Sequence, residues 1–116
     1  TEDCSVRYDH FGSLDGLDEM ESYLKEYFSG ELVVQDSFHM LANPWIEVNG
    51  KEATGKWHFF GAYLLDDVGA TWFMGFYDNQ FEKIDDDWKI SSLDWESKYT
   101  TPHSDGWNKT PMILDD

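Results

Sequence analysis

One histidine stands in a setting that could support chemistry. His39 lies in the segment SFHMLANPWIEVNGKEATGKWHFF, residues 37–60, among aromatic and aliphatic side chains. An imidazole titrates near neutral pH, so it is the side chain best suited to take up and return a proton. The same surroundings suit a buried histidine whose ring nitrogens are satisfied by neighbouring groups. The residues alone leave both interpretations open.

The other histidines and the acidic runs give no pattern typical of a metal site. His10, His58 and His103 are scattered and form no ligand spacing with His39. The acidic run at residues 85–87 lacks the spaced loop and closing glutamate of a calcium site, and is typical of a solvated turn. Phosphate loops, dinucleotide fingerprints and nucleophile elbows do not occur. We therefore predict neither a metal nor an organic cofactor.

The composition limits the partners. The chain has 116 residues, enough for one domain, with 24 acidic and 8 basic residues and a formal net charge of −16. Such a surface repels nucleic acid and anionic membranes. Arg7 is the only arginine, which argues against a phosphate-clamping enzyme. The acidity is explained equally well by a high-salt habitat and by an ordinary acidic protein.

The cysteine content and the pattern of apolar runs bear on disulfides and location. Cys4 is the only cysteine, so no internal disulfide can form. No segment is typical of a signal peptide or a membrane span, because the longest apolar runs are only a few residues. We expect a cytoplasmic protein.

Hydrophobic periodicity predicts one helix followed by long strands. Apolar residues recur at helical spacing over residues 17–28, and Gly30 is expected to end that helix. A short strand is expected within residues 4–12, before the turn-rich GSLDG. Four longer strands are predicted at residues 33–48, 53–65, 70–84 and 88–99. Short polar connections between them predict an antiparallel meander. We expect one domain over residues 1–100 and an irregular tail over residues 101–116.

The long strands carry large side chains on both faces. In residues 53–65, Trp57, Phe59, Gly61 and Tyr63 alternate with another bulky set, so neither face is the polar one that a solvated sheet requires. Aromatic residues form 17% of the chain and suit either a ligand cavity or a bulky core. We predict a homodimer through one sheet face, with the other face curling around a cavity for a small apolar molecule.

The segment at residues 37–60, together with GFYDNQFEKIDDDWKI at residues 75–90, resembles the SnoaL-like family of the nuclear transport factor 2-like superfamily. The shared pattern is a His before an Asn-Pro turn, then I-x-V, an Asn-Gly turn and Ala-Thr-Gly-x-Trp. It covers residues 4–99 and is most similar to the bile acid 7α-dehydratase and scytalone dehydratase type. The resemblance implies an α+β fold, in which a cone-shaped, strongly bent antiparallel sheet packs on helix. The helix that carries a Tyr and an Asp in these relatives would lie upstream of Thr1, so the N-terminal helices are expected to be absent.

The resemblance also implies roles for individual residues. His39 matches the catalytic base, and Tyr8 matches a tyrosine that contacts the substrate. Gly61 stands where the bile acid enzyme has a strand acid, and Tyr63 where the scytalone enzyme has a histidine. Catalytic groups of the family are therefore missing from this sequence. The predicted substrate-binding residues are Tyr8, Trp57, Phe59, Gly61, Tyr63 and Trp95.

The hairpin turn decides which face His39 shares. A three-residue bulged loop at residues 49–51 sets His39 opposite Gly61, whereas a strict two-residue turn at Asn49-Gly50 sets it opposite Phe60. We favour the bulged loop, because the family places its functional position at Gly61. The predicted function is small-molecule binding with a dehydratase or isomerase activity that needs no cofactor. The alternative is a non-catalytic ligand-binding or dimerisation domain.

Overall fold

The computed structural model describes residues 1–29 and 34–114. In chain order the elements are β1 (Ser5–Tyr8), a 3-10 turn (Asp9–Phe11), β2 (Ser13–Asp15), α1 (Leu17–Ser29), β3 (Val34–Asn49), β4 (Glu52–Leu65), β5 (Gly69–Ile84), β6 (Asp87–Pro102) and α2 (Gly106–Lys109). The predicted helix and long strands agree with these bounds to within a few residues. The expected helix end at Gly30 and strand start at residue 33 lie outside the described residues.

The six strands form one mixed sheet in the order β2-β1-β6-β5-β4-β3. The antiparallel meander from β3 to β6 is confirmed. β1, however, pairs parallel with β6, placing Val6 beside Leu93, and pairs antiparallel with β2. The sheet is therefore mixed rather than wholly antiparallel. The segment GSLDG, expected as a turn, contributes the short strand β2.

Alternation along the strands gives the sheet two distinct faces. The face that carries the buried residues Phe59, Phe73 and Trp95 is called the inner face here, and the opposite face the outer face. Register shifts interrupt the pairing of β5 with β6 at Met74/Gly75 and at Gln80/Phe81. Each such bulge bends the strands and increases their twist, which curves the sheet around the inner face.

A side-chain hydrogen bond and acidic residues stabilise the start of helix α1. The Glu19 carboxylate accepts a hydrogen bond of 2.7 Å from the backbone N–H of Asp15, and acidic residues suit the positive end of the helix dipole. Tyr23 and Tyr27, one turn apart, share one side of the helix. The Tyr23 ring lies 5.6 Å from the Tyr8 ring, between centroids. The Tyr27 and Ser37 hydroxyl oxygens lie 2.6 Å apart in a hydrogen bond. These contacts direct the two tyrosines of α1 toward β1 and β3.

The β3–β4 register places His39 where predicted, but for a different reason. The turn is a two-residue connection, with Asn49 paired to Glu52, so the predicted three-residue loop is wrong. An extra residue in β3 between Ala42 and Trp45 shifts the pairing by one, and Asn43 there adopts a left-handed φ of 55°. Beyond this bulge His39 pairs with Gly61.

The C-terminal segment packs against β6. The Thr100 N–H donates to the Pro111 carbonyl, and the Ile113 N–H donates to the Thr100 carbonyl. Leu114 packs on the buried aromatic cluster of the inner face. The division into a domain of residues 1–100 and a tail of residues 101–116 stays a prediction. No helix in the described ranges is long and apolar enough to cross a membrane.

Gly75 lies close to the backbone of β6, and its replacement tests the bulge beside it. A Cβ on Gly75 would lie 2.0 Å from the Glu96 carbonyl oxygen, which belongs to the backbone and cannot rotate away. We expect Gly75→Ala to lower the free energy of unfolding by about 3 kcal/mol or more. Gly50→Ala is the control, because its Cβ meets nothing within 4 Å and only its φ of 62° is strained. That strain costs about 1 to 2 kcal/mol. Urea unfolding measures both, and equal midpoints would contradict the packing argument.

Candidate functional site

The His39 ring packs against two aromatic rings. Its imidazole centroid lies 5.3 Å from that of Phe59, edge to face, and 5.1 Å from that of Tyr63. These residues flank Gly61 on β4, and Gly61 is the partner of His39 across the strands. A Cβ on Gly61 would lie 2.5 Å from the Tyr63 ring and 2.8 Å from the Phe59 ring. The glycine therefore lets both rings close beneath the imidazole.

The imidazole of His39 favours its neutral form. The residue keeps solvent exposure, but partial burial of the ring lowers the pKa of His39 below the ordinary value of 6.5. Within the described ranges the His39 ring contacts the rings of Phe59 and Tyr63, and it forms no ion pair or hydrogen bond with a carboxylate. The imidazole of His39 thus has no carboxylate beside it that would stabilise its cation. It is a free base at neutral pH.

Phenols converge on the same part of the inner face. Tyr8, Tyr63 and Tyr77 each pack against the buried aromatic cluster. Burial, with a smaller contribution from neighbouring tyrosines, raises the pKa of Tyr77 to about 12 and raises the pKa values of Tyr8 and Tyr63 further. Burial also raises the pKa of Tyr23 on α1. At neutral pH these groups are protonated and can donate hydrogen bonds to a ligand oxygen.

Three of the converging tyrosines, Tyr23, Tyr27 and Tyr77, were not in the predicted binding set. Tyr23 and Tyr27 carry a detectable signal, since two tyrosines four residues apart share one side of a helix. Their meeting with Tyr8 and Ser37 depends on how α1 docks, which the local sequence does not specify. Tyr77 belongs to the inner face because it pairs with Trp57 and Trp95.

The predicted apolar walls occupy two different parts of the inner face. Phe59 and Trp95 are buried together with Phe73, and the Phe59 and Trp95 ring centroids lie 5.9 Å apart. Trp57 lies farther along β4, where its ring covers Gly55 and meets Phe81 edge to face at 6.1 Å. The structure thus brings His39, Phe59, Gly61 and Tyr63 into one group, with Tyr8 and Trp95 beside it and Trp57 toward the hairpin.

Two buried polar atoms on the inner face have no hydrogen-bond partner among the described residues. They are the Asn79 side-chain oxygen, an acceptor, and the Trp95 indole nitrogen, a donor. Both residues are buried, with exposed fractions of 7% and 5%. Unpaired polar groups at this depth cost free energy, so a ligand or water that pairs with them is favoured.

Two surface depressions lie on other parts of the described chain. One of about 390 Å³ borders α1 and includes Tyr23, Leu14 and Ser22. Another of about 480 Å³ lies at the β3–β4 hairpin, beside Val48 and Phe81. Neither is lined by His39. A ligand cavity at His39 stays a prediction.

The remaining histidines and acids lie apart from this group. His58 faces the outer side, where its ring nitrogen Nδ1 lies 2.8 Å from the side-chain nitrogen of Asn43. Asp94, also on the outer face, forms an ion pair with Arg7. No group of three or more His, Cys, Asp or Glu residues in the described part of the chain is arranged to hold a metal ion.

The chain is a small α+β domain whose sheet carries His39 and several phenols on its inner face. The family model of the SnoaL-like domain matches residues 1–94, and the chain belongs to this family. No curated protein is similar enough in sequence to count as a relative.

Solved structures show the same fold. A nuclear transport factor 2-like superfamily protein from Salmonella enterica matches with a TM-score of 0.73 at 18% identity, over 91% of this chain and 75% of its own. A scytalone dehydratase-like protein from Novosphingobium aromaticivorans matches with a TM-score of 0.76 at 19% identity, over 100% and 76%. The hexachlorocyclohexane dehydrochlorinase LinA of Novosphingobium barchaimii matches with a TM-score of 0.77 at 19% identity, over 88% and 70%. The predicted α+β cone is confirmed.

The Tyr63 ring should control the basicity of His39. Because burial is the cause of the lowered pKa of His39, we expect Tyr63→Ala to hydrate the imidazole and move its pKa upward, toward 6.5. NMR titration of the His39 ring protons measures the change. Tyr99→Ala, on the outer face beside Trp107, is the matched control and should leave the titration unchanged. A parent pKa at or above 6.5 would contradict this account of the site.

Proposed function

We propose that this protein binds a small, largely apolar molecule bearing a carbonyl and a hydroxyl group on the inner face, and removes water from it without a cofactor. The observation that carries the proposal is the neutral imidazole of His39, packed on Phe59 and the protonated phenol Tyr63, with the protonated phenols Tyr8 and Tyr77 on the same face. The unpaired Asn79 oxygen and Trp95 N–H support a ligand with polar atoms. The SnoaL-like family supports a small-molecule ligand.

The proposed reaction uses one base and one or more hydrogen-bond donors. His39 takes a proton from the carbon next to the carbonyl, and a phenol hydrogen-bonds the carbonyl oxygen as negative charge develops there. The electron pair then forms the carbon–carbon double bond as the hydroxyl leaves from the next carbon. That hydroxyl takes the proton from the His39 imidazolium and departs as water. Tyr63 is placed best for the donor, since its ring contacts that of His39.

A second candidate function is ligand binding without catalysis. It is favoured by the lack of a carboxylate contact to His39 in the described residues and by the crowding at Gly61. An acid cannot replace this glycine without displacing the Phe59 and Tyr63 rings. A base with no acid across the substrate is a weak catalyst, although its ligand site can remain intact.

A simple β-hydroxyketone distinguishes the two functions. We expect the protein to convert 4-hydroxy-4-phenylbutan-2-one to the conjugated enone, which is followed by its near-ultraviolet absorbance. Loss of the base in His39→Gln should reduce the rate about 100-fold or more. His58→Gln, which changes a histidine on the outer face, is the control and should retain the parent rate.

Binding is measured separately with the enone product by calorimetry. Enone binding that Tyr63→Leu weakens, with no turnover of the hydroxyketone, would assign the non-catalytic function. Neither binding nor turnover would reject this class of ligand.

The pH dependence follows from the neutral imidazole. Because the pKa of His39 is lowered below 6.5, the base form should predominate at neutral pH. We expect kcat/KM to be flat above neutrality and to fall tenfold for each pH unit below that lowered pKa. A pH-rate profile in buffers of constant ionic strength measures it. A rate that increases as the pH falls would exclude His39 as the base.

A further inference from the structure

The inner face is apolar and open on the side that lies toward the β3–β4 hairpin. Helix α1 packs at the other end, where its tyrosines contact Tyr8 and Ser37. Toward the hairpin, three apolar side chains of β3 point to the inner face and are 55–63% exposed: Leu41, Ile46 and Val48. Contiguous exposed apolar surface of this kind marks a contact site.

Two glycines let aromatic rings cover the inner side of β4. A Cβ on Gly55 would lie 2.3 Å from the Trp57 indole, so only a glycine allows the ring to approach the strand this closely. Gly61 has the same relation to the Phe59 and Tyr63 rings. These rings form a floor along β4, which we call the aromatic floor and which runs from Tyr63 at the His39 group to Trp57 near the hairpin.

No formal charge interrupts the aromatic floor. On β4 the inward positions among residues 53–63 are all uncharged, whereas Glu52 and Lys56 point outward. On β5 the inward positions among residues 73–81 are uncharged as well. The chain has 24 acidic residues, so the exclusion of carboxylates from this face favours an occupant that is itself apolar and uncharged.

From the continuity of the aromatic floor with the His39 group, we infer that the ligand is elongated. Its carbonyl end lies at His39, and an apolar chain extends over Phe59 and Trp57 toward the hairpin. The inference rests on the proposed function for the position of the carbonyl end. The sheet curves around this face, so a slender chain follows the aromatic floor more closely than the flat surface of a partner protein.

The spacing along β4 gives the length of such a ligand. Gly61 is the partner of His39, and Trp57 lies four positions from it along the strand. Four extended residues span about 13 Å. An extended alkyl chain advances roughly 1.3 Å per carbon. A ligand with about ten carbons beyond its carbonyl therefore reaches the indole.

The length is tested with enones that differ only in their alkyl chain. By this spacing, oct-3-en-2-one ends near Phe59, whereas tetradec-3-en-2-one reaches Trp57. A methylene that is completely buried raises affinity roughly fourfold, and a floor that is open on one side buries about half of it. We expect about twofold per methylene, or about 60-fold over the six methylenes that separate these probes. Quenching of tryptophan fluorescence measures both affinities.

Two neighbouring residues that point to opposite faces of β3 locate the alkyl chain. Ile46 pairs with Gly55 beside the Trp57 indole, and Trp45 pairs with Lys56 on the outer face. Ile46→Glu and Trp45→Glu each add one negative charge at an exposed apolar position. Ile46→Glu should weaken the binding of tetradec-3-en-2-one about tenfold or more, because its carboxylate loses water to the chain, and leave oct-3-en-2-one within about twofold. Trp45→Glu should leave both affinities unchanged. Circular dichroism verifies that both variants are folded.

Equal affinity of the parent chain for the two enones, with 4-phenylbut-3-en-2-one still bound, would overturn this inference and leave the proposed function standing. Equal weakening by Ile46→Glu and Trp45→Glu would also overturn it, because the alkyl chain would then lie elsewhere. A change of molar mass on Ile46→Glu in light scattering, with both affinities unchanged, would assign the aromatic floor to a protein contact instead. A gain in affinity with chain length, in a protein that does not dehydrate the hydroxyketone, would support the elongated ligand and reject the reaction.

Discussion

The pairing of His39 with Gly61 is the constraint on which the inner face depends. Side chains alternate along a strand, so a shift of one residue in the β3–β4 register would move His39 to the outer face. The extra residue between Ala42 and Trp45 sets the shift, and Gly61 then leaves room for the Phe59 and Tyr63 rings beneath the imidazole. The partial burial that lowers the pKa of His39 follows from this packing.

Much of this fold could be predicted from local patterns. Helical spacing located α1, and the strand periods located β3 to β6, because each pattern reflects one repeat within one element. The position of the extra residue could not be predicted in this way. Either a bulged turn at residues 49–51 or a bulge at Asn43 sets His39 opposite Gly61. The family resemblance therefore predicted the correct pairing of His39 but the wrong turn. The parallel pairing of β1 with β6 depends on residues more than eighty positions apart.

The candidate site was predicted less completely, because local sequence patterns do not specify how separate elements pair and dock. Within the predicted set, the residues Trp57, Phe59, Gly61 and Tyr63 share a face through the alternation along β4. Tyr8 and Trp95 join that face through the pairing of β1 and β5 with β6. The contributions of Tyr23 and Tyr27 depend on the docking of α1, which is decided by contacts to Tyr8 and Ser37.

The inner face combines a neutral base with neutral donors, and this limits the ligands that it favours. A carboxylate beside His39 would stabilise the imidazolium and raise its pKa, whereas partial burial against aromatic rings lowers it. The same burial keeps Tyr8, Tyr63 and Tyr77 protonated. An anionic ligand would be repelled by a chain of net charge −16, and Arg7, the only arginine, lies on the outer face in an ion pair with Asp94. Charge that develops on a neutral ligand can instead be met by hydrogen bonds already pointed at it, so the arrangement suits uncharged molecules that acquire charge only transiently.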